Sequence, residues 1–283
     1  MNADLHHQPL SVACALDRWR QLTHVSDTPQ LDSQMLLSHV LQTNRAWLYT
    51  HGTTPLTAAH RLRFEEVIAR RSAGEPVAYL TGKKAFWNAE LSVSPATLIP
   101  RPESELLVES ILSRFTAAPG MIVDLGTGSG AIAVALAAER PGWDIFGTDI
   151  CEHALAVAAE NSRIWAGGRV RLLKAHWLDP FAVASIGVVV SNPPYIPETD
   201  PHLVDLHHEP RQALTAGADG LGALRQIIAA APASLRPGGF IFLEHGFDQQ
   251  EAVIRLLTTA GFVDINGQRD LNGQPRLVSA RWP

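Results

Sequence analysis

Residues 192 to 195 of this 283-residue chain read Asn-Pro-Pro-Tyr and close an apolar, β-prone stretch, Ile186 to Ser191. Two successive prolines fix φ and remove two N–H donors, which leaves stiff backbone carbonyls that no ladder claims. The asparagine carbonyl and the Pro193 carbonyl together make a pair of acceptors, and the group that suits such a pair is a planar NH2. An amide or amino nitrogen delocalises its lone pair and attacks poorly until its geometry shifts toward tetrahedral. If Asn192 Oδ1 and the Pro193 carbonyl each accept one N–H, the nitrogen is held with its lone pair free to face an electrophile. Tyr195 can stack on the planar group. Catalysis of this kind rests on positioning and preorganised dipoles, and no strong base is needed before attack.

A second constellation lies upstream. Met121 to Leu125 runs into Gly126-Thr127-Gly128-Ser129-Gly130 and then into an apolar helix, so glycines sit where a ligand can approach backbone N–H groups at a helix start. Asp149 ends the next strand candidate, nineteen residues after Gly130, where a carboxylate can accept both hydroxyls of an adenosine ribose. The plainer reading gives the glycines a tight turn and Asp149 a helix cap. The dinucleotide fingerprint places its third glycine one position later, so this GxGxG preceded by Asp124 points away from NAD. The loop resembles the first motif of the S-adenosylmethionine-dependent methyltransferases with a Rossmann-like sheet.

Both constellations need strand ends to hold them. Strands are predicted at 121–125, 144–149, 169–173, 186–191 and 239–244, with helical stretches at 131–139, 152–166 and 221–235 between them. That alternation predicts an α/β fold with a mostly parallel sheet covered on both faces. Phe262 to Ile265 and Arg276 to Ala280, joined through Asn272-Gly273, predict an antiparallel C-terminal strand pair. Upstream, the spacing of Leu10, Ala13, Leu16 and Trp19, of Leu31, Met35, Leu36, Val40 and Leu41, and of Leu62, Val67 and Ile68 predicts a small helical bundle. Thr28 before Pro29 and Thr57 are its predicted caps, and Gly74 with Pro76 its close. The β-prone pieces Phe86-Trp87 and Leu91 to Val93, between Gly82 and Pro95, predict a hairpin. The expected division is a helical domain over 1–76, a β-hairpin linker over 77–100 and a catalytic domain over 101–283.

Composition narrows the classes. No stretch has the apolar length of a membrane span, and Asp4, His6, His7 and Asp17 stand where a signal peptide is apolar, so a cytoplasmic protein is expected. Cys14 and Cys151 lack CxxC spacing and are expected to be small core residues. The net charge is -5, and residues 121–283 hold twelve basic against seventeen acidic residues. No basic face for phosphates is visible, so direct nucleic-acid binding is not expected.

With these motifs placed, the chain resembles the PrmC (HemK) family of release factor N5-glutamine methyltransferases. The likeness extends over nearly the whole length. It is carried by Gly74-Glu75-Pro76-Val77-Ala78-Tyr79-Leu80-Thr81-Gly82, by Val93 through Ile99-Pro100-Arg101-Pro102-Glu103-Ser104-Glu105, by the glycine loop, by the Asn-Pro-Pro-Tyr turn, and by Gly238-Gly239-Phe240 leading to Leu243-Glu244-His245-Gly246. The turn alone is shared with DNA adenine and ribosomal RNA guanine methyltransferases; Ile-Pro-Arg-Pro-Glu is far more specific. The resemblance implies S-adenosylmethionine as cofactor, with Gly126, Thr127, Gly128, Ser129 and Gly130 around its methionine part, Asp149 on the ribose, Trp177 beside the adenine, and Asn192 next to both cofactor and substrate. It implies that Asn192, Pro193, Pro194 and Tyr195 grip the glutamine in the Gly-Gly-Gln tip of class-1 peptide-chain release factors. The helical domain is then expected to contact the body of the release factor. The chain departs from the family pattern at His176, where an acid is usual, and in 202–210, which is shorter than usual and followed by Arg211.

Other residues carry alternatives. Glu103 and Glu105 could hold the cofactor ammonium or cap a helix beginning near Ser104. His245, at a strand end, could line the cavity or be a satisfied structural histidine. His202, His207, His208 and Glu209 lack HExxH spacing, so no metal is expected. Lys83-Lys84 and Arg70-Arg71 read as solvated surface. Rival functions are N-methylation of another protein glutamine, as in a ribosomal protein, N-methylation of an exocyclic base amine, and non-catalytic binding through the helical domain.

Overall fold

Short polar side chains set where the first helices begin. The computed structural model describes residues 10–283, so Asp4, His6 and His7 lie outside the described residues. Helix α1 (Val12–Leu16) is capped by Ser11, whose Oγ accepts the Cys14 N–H at 3.3 Å. Helix α2 (Pro29–Leu41) starts with Pro29 as predicted, but the Thr28 hydroxyl makes no cap; Ser26 Oγ accepts the Thr28 N–H instead. Asn44 caps α3 (Arg45–Thr50), and Thr57 caps α4 (Ala58–Ser72) as its sequence predicts, accepting the His60 N–H at 3.1 Å. Gly74 at φ +98° ends that helix, and α5 (Val77–Thr81) follows Pro76.

The chain divides into two units after Gly82. In the first, the buried core is Val12, Ala15, Leu22, Leu36, Leu37, Val40, Leu48, Leu56, Phe64, Ile68 and Leu80. Leu36, Val40 and Ile68 of the predicted stripes lie in it, whereas Ala13, Met35 and Leu62 are exposed. After α1 the chain tightens into a 3-10 turn, Asp17–Leu22, that a 3.6-residue pattern does not follow. Cys14 is exposed, on the opposite side of α1 from Val12 and Ala15, which corrects its expected place in a core. Arg71 is also not surface: its Nε reaches Asp32 Oδ2 at 2.8 Å and its Nη2 donates to the Val25 carbonyl at 2.7 Å, and both side chains are nearly buried.

The second unit opens with a hairpin, β1 (Lys83–Phe86) and β2 (Ala89–Ser92), so the segment 77–100 is split, with α5 in the first unit and the hairpin in the second. Then come α6 (Glu105–Arg114), β3 (Met121–Leu125), α7 (Ala131–Glu139), β4 (Asp144–Asp149), α8 (Glu152–Trp165), β5 (Arg171–Lys174) and β6 (Ile186–Ser191). The chain ends with α9 (Gly222–Ser234), β7 (Leu235–Glu244), α10 (Gln250–Thr259), β8 (Val263–Arg269) and β9 (Pro275–Arg281). The seven-stranded sheet has the order β5-β4-β3-β6-β7-β9-β8. Its first five strands are parallel, while β9 runs antiparallel between β7 and β8. This is the predicted α/β class with an antiparallel C-terminal pair.

Strand alternation covers both faces with helices. Ile122, Val188, Val190, Phe240 and Phe242 pack with Leu107, Val108 and Ile111 of α6 and the Ala-rich α7. Val123, Val189, Ile241 and Leu243 pack with Leu224, Ile227 and Ile228 of α9 and Val253 and Leu257 of α10. The strand order reverses between β3 and β6, and open α/β sheets bind ligands outside the carboxyl ends of the strands at such a point. Gly187, inside β6, has no room for a side chain, since a Cβ there falls 1.9 Å from the Pro119 carbonyl oxygen. Gly187→Ala is therefore expected to cost at least ~2 kcal/mol. A melting temperature equal to wild type, read by calorimetry, would contradict this close approach of the Pro119 carbonyl to Gly187.

Candidate active site

Four strand ends of the second unit supply the site: the glycine loop follows β3, Asp149 ends β4, Asn192 follows β6 and Glu244 ends β7. The glycine loop bends through three left-handed residues, Gly126 (φ +66°), Gly128 (φ +56°) and Gly130 (φ +80°). Thr127 is buried, and its hydroxyl donates to Asp124 Oδ2 at 2.6 Å. Burial pushes the Asp124 carboxyl up to about 7, against the pull of the Thr127 hydrogen bond and the Ala133 backbone N–H. Gly130 serves packing, because a Cβ there would lie 3.1 Å from Ala158 Cβ of α8. Buried Asn161 fixes the loop to the hairpin: its Nδ2 donates to the Ser129 and Ser92 carbonyls, each at 2.9 Å, and its Oδ1 accepts the Ser92 N–H at 2.7 Å.

Asp149 does more than cap a helix. Its Oδ2 accepts the Gly128 N–H and its Oδ1 the Cys151 N–H, both at 2.9 Å, so one carboxylate ties the glycine loop to the start of α8. Both oxygens keep lone pairs for further donors. A cavity of about 180 Å³ opens beside it, lined by Gly126, Gly128, Asp149, Ile150, Trp177 and Asn192 among others. Cys151 lines this cavity too and is only partly buried, so it is no more a core residue than Cys14. Trp177 takes a left-handed backbone (φ +45°), and its indole N–H donates to Gln226 Oε1 at 2.9 Å. Its ring lies over Gly126, within 3.3 Å of where a Cβ would stand. His176 sits exposed on the rim.

Two more cavities adjoin. One of about 50 Å³ is lined by Phe86, Ser104, Gly126 to Ser129 and Asn192. The other, about 270 Å³, is lined by Arg101, Asn192, Pro193, Pro194, Tyr195 and Leu206 among others. Asn192 lines all three. Its Nδ2 donates to Ser104 Oγ at 2.9 Å, and among the described residues nothing engages its Oδ1 or the Pro193 carbonyl. The Tyr195 carbonyl is held by Gln249 Nε2 at 2.9 Å, while Gln249 Oε1 accepts the Gly246 N–H at 2.9 Å. Burial, then the charge of Glu244, pushes the Tyr195 phenol up, so it stays protonated at neutral pH.

Other predicted candidates separate from the chemistry. Glu105 Oε1 accepts the Trp87 N–H at 2.8 Å and so anchors the hairpin turn. His245 is fully buried, with Nδ1 at 2.8 Å from the Gly246 carbonyl oxygen, and burial pushes its imidazole down. His202 pairs with Asp200 at 2.8 Å and His207 Nδ1 meets the Val204 carbonyl oxygen at 2.7 Å. Among the described residues no three His, Cys, Asp or Glu side chains gather in a metal-holding group. Glu209, from the same stretch, is buried and clamps it: its carboxylate accepts the Ile99 N–H at 3.1 Å and pairs with Arg101. Pro210, Gln212 and Ala213 are thereby held at the cavity wall. Sequence reasoning missed Ser104, Glu209, Glu244 and Gln249 as parts of the site. Their types are ordinary; what marks them is burial, with Ser104, Glu244 and Gln249 converging on the Asn-Pro-Pro-Tyr turn and Glu209 on Ile99 and Arg101.

Sheet, glycine loop, strand-end carboxylate and proline turn define a class, the S-adenosylmethionine-dependent methyltransferases with a Rossmann-like fold. A methyltransferase of Pyrococcus furiosus shares the fold at TM-score 0.53 and 16% identity, over 77% of this chain and 98% of that one. Residues 102–255 match the methyltransferase small domain and residues 15–82 the PrmC N-terminal domain. A release factor glutamine methyltransferase of Xylella fastidiosa (strain Temecula1) is 47% identical over 90% of this chain and 94% of its own length. One of Coxiella burnetii is 43% identical over 93% and 95%. The chain belongs to the release factor glutamine methyltransferase family.

Proposed function

We propose that this enzyme transfers a methyl group to the side-chain amide nitrogen, N5, of the glutamine in the Gly-Gly-Gln tip of class-1 release factors. The observation that carries this reading is the state of Asn192, which lines three adjoining cavities and whose amide nitrogen is committed to Ser104 while its oxygen has no partner among the described residues. Two acceptors, Asn192 Oδ1 and the Pro193 carbonyl, match the two N–H bonds of a carboxamide and orient its nitrogen. The cradle fits the cofactor's parts: Gly126 and Gly128 leave open backbone along the cavity, Asp149 has lone pairs to spare for ribose hydroxyls, and Trp177 offers an indole face near Gly126. Bound S-adenosylmethionine supplies a methyl group on a sulfonium, an already activated leaving group. The protein's residues do the rest by position: they exclude water, hold the amide and stack Tyr195 against it.

On this reading the helical unit contacts the body of the release factor, and the exposed Tyr49 and Leu62 of α3 and α4 supply apolar contact area. Among the described residues no helix is long and apolar enough to cross a membrane, which suits a protein substrate met in solution. The test is mass spectrometry of an unmethylated release factor incubated with the enzyme and S-adenosylmethionine. The Gly-Gly-Gln peptide is expected to gain the mass of one methylene, located on glutamine by fragmentation. An unmodified peptide beside a methylated ribosomal protein or nucleic acid would overturn the assignment.

A further inference from the structure

Glu244, Ser104 and Asn192 come from three elements, the end of β7, the start of α6 and the turn after β6, and they meet as a chain of hydrogen bonds. Ser104 Oγ donates to Glu244 Oε2 at 2.7 Å and accepts from Asn192 Nδ2 at 2.9 Å, and the Tyr195 hydroxyl donates to Glu244 Oε1 at 3.3 Å. Glu244 and Ser104 are 1% and 4% exposed, so no bulk water competes for these contacts. A carboxamide has two ends of nearly equal shape and opposite hydrogen-bonding character. Turned by half a rotation about its Cβ–Cγ bond, Asn192 would present its NH2 to the NH2 of the substrate, donor against donor. A serine hydroxyl cannot prevent this alone, because it both donates and accepts. An ionised carboxylate can, because it only accepts: it accepts the hydrogen bond of the serine hydroxyl, whose oxygen lone pairs are then left for Asn192 Nδ2.

We infer that Glu244 is a positioning residue which, through the Ser104 hydroxyl, fixes the Asn192 carboxamide with its oxygen toward the substrate nitrogen. The inference rests on the proposed role of Asn192 as an acceptor for that nitrogen. A protonated Glu244 reverses the chain. Its O–H donates to Ser104, Ser104 donates to the Asn192 oxygen, and the NH2 turns toward the substrate. Burial pushes this carboxyl up to about 7, while the hydrogen bond from Ser104, Arg276 of β9 and the bond from Tyr195 pull it down and Glu103, in the turn before α6, pushes it up. Arg276 is itself shared with Asp270, at 3.5 Å. The charged form is the competent one, so turnover is lost as pH falls through the neutral range.

The experiment compares the full-length wild type with Ser104→Ala, Glu244→Gln and Asn192→Ala on an unmethylated release factor. It measures kcat from about pH 5.5 to about pH 8.5, together with cofactor affinity by calorimetry. Wild type is expected to lose kcat by about tenfold per pH unit below the midpoint. Ser104→Ala and Glu244→Gln are expected to lose about tenfold or more in kcat at high pH, to flatten the acid limb, and to keep cofactor affinity within about threefold. Ser104→Thr restores a hydroxyl and part of the rate, an outcome that a packing defect does not produce. If Asn192→Ala is inactive while Ser104→Ala and Glu244→Gln match wild type, or keep its acid limb, the relay is wrong and the Asn192 reading stands. Wild-type turnover in Asn192→Ala removes both.

Discussion

Asn192→Ala is expected to methylate the release factor at least ~10²-fold more slowly than wild type, with S-adenosylmethionine affinity within about threefold. The variant removes a side-chain acceptor of a residue that lines all three cavities, and on the proposed reading leaves the Pro193 carbonyl as a single acceptor for two N–H bonds. A carboxamide held at one point can rotate, and its lone pair then spends little time facing the methyl group. The loss belongs in kcat, because the interaction matters most when the nitrogen begins to pyramidalise. Cofactor affinity is spared because Asp149, Trp177 and the glycine backbone do not depend on Asn192. Single-turnover rates with preloaded cofactor separate the two effects. A rate like that of wild type would show that the turn does not grip the amide.

The catalytic strands were legible because their signals are local. A buried parallel strand is a short β-prone run, and β3, β4 and β6 cover the predicted 121–125, 144–149 and 186–191. β5 is displaced by about two residues from its predicted position, since Gly167 and Gly168 are left-handed and the chain is still turning at Arg169. β7 starts earlier than predicted, at Leu235, which pairs with Ile186 across an irregular register around the left-handed Gly238. The spatial insertion of β9 between β7 and β8 is not visible in a sequence that only shows two strands and a turn. The glycine loop, Asp149 and Asn192 could be found because their chemistry sits within a few residues of a strand end. Glu244 and Ser104 could not, because their meaning lies in contact across 140 residues of chain, and a buried Glu at a strand end has no spacing rule. Glu209 shows the same limit: set among histidines it reads as a solvated loop, yet it reaches back to Ile99 and Arg101.

Asp149→Ala is expected to weaken S-adenosylmethionine binding by at least ~10²-fold, the cost of losing charge-assisted hydrogen bonds of about 1.5–3 kcal/mol each. Two losses add. On the proposed assignment the ribose hydroxyls lose their acceptor, and the Gly128 and Cys151 N–H groups lose the carboxylate that joins the glycine loop to α8. Asp149→Asn sharpens the test. An asparagine has the right shape but only one accepting end, so its NH2 must face either Gly128 N–H or Cys151 N–H, donor against donor. Asn is therefore expected to be nearly as damaging as Ala, although it keeps the shape of the native side chain. Calorimetric titration of each variant, with melting temperature as the control for folding, measures the loss. Turnover at saturating cofactor should stay within about fivefold of wild type, because the amide grip at Asn192 is a separate structure. Unchanged affinity in both variants would take Asp149 out of the cofactor site and leave it as a brace between the glycine loop and α8.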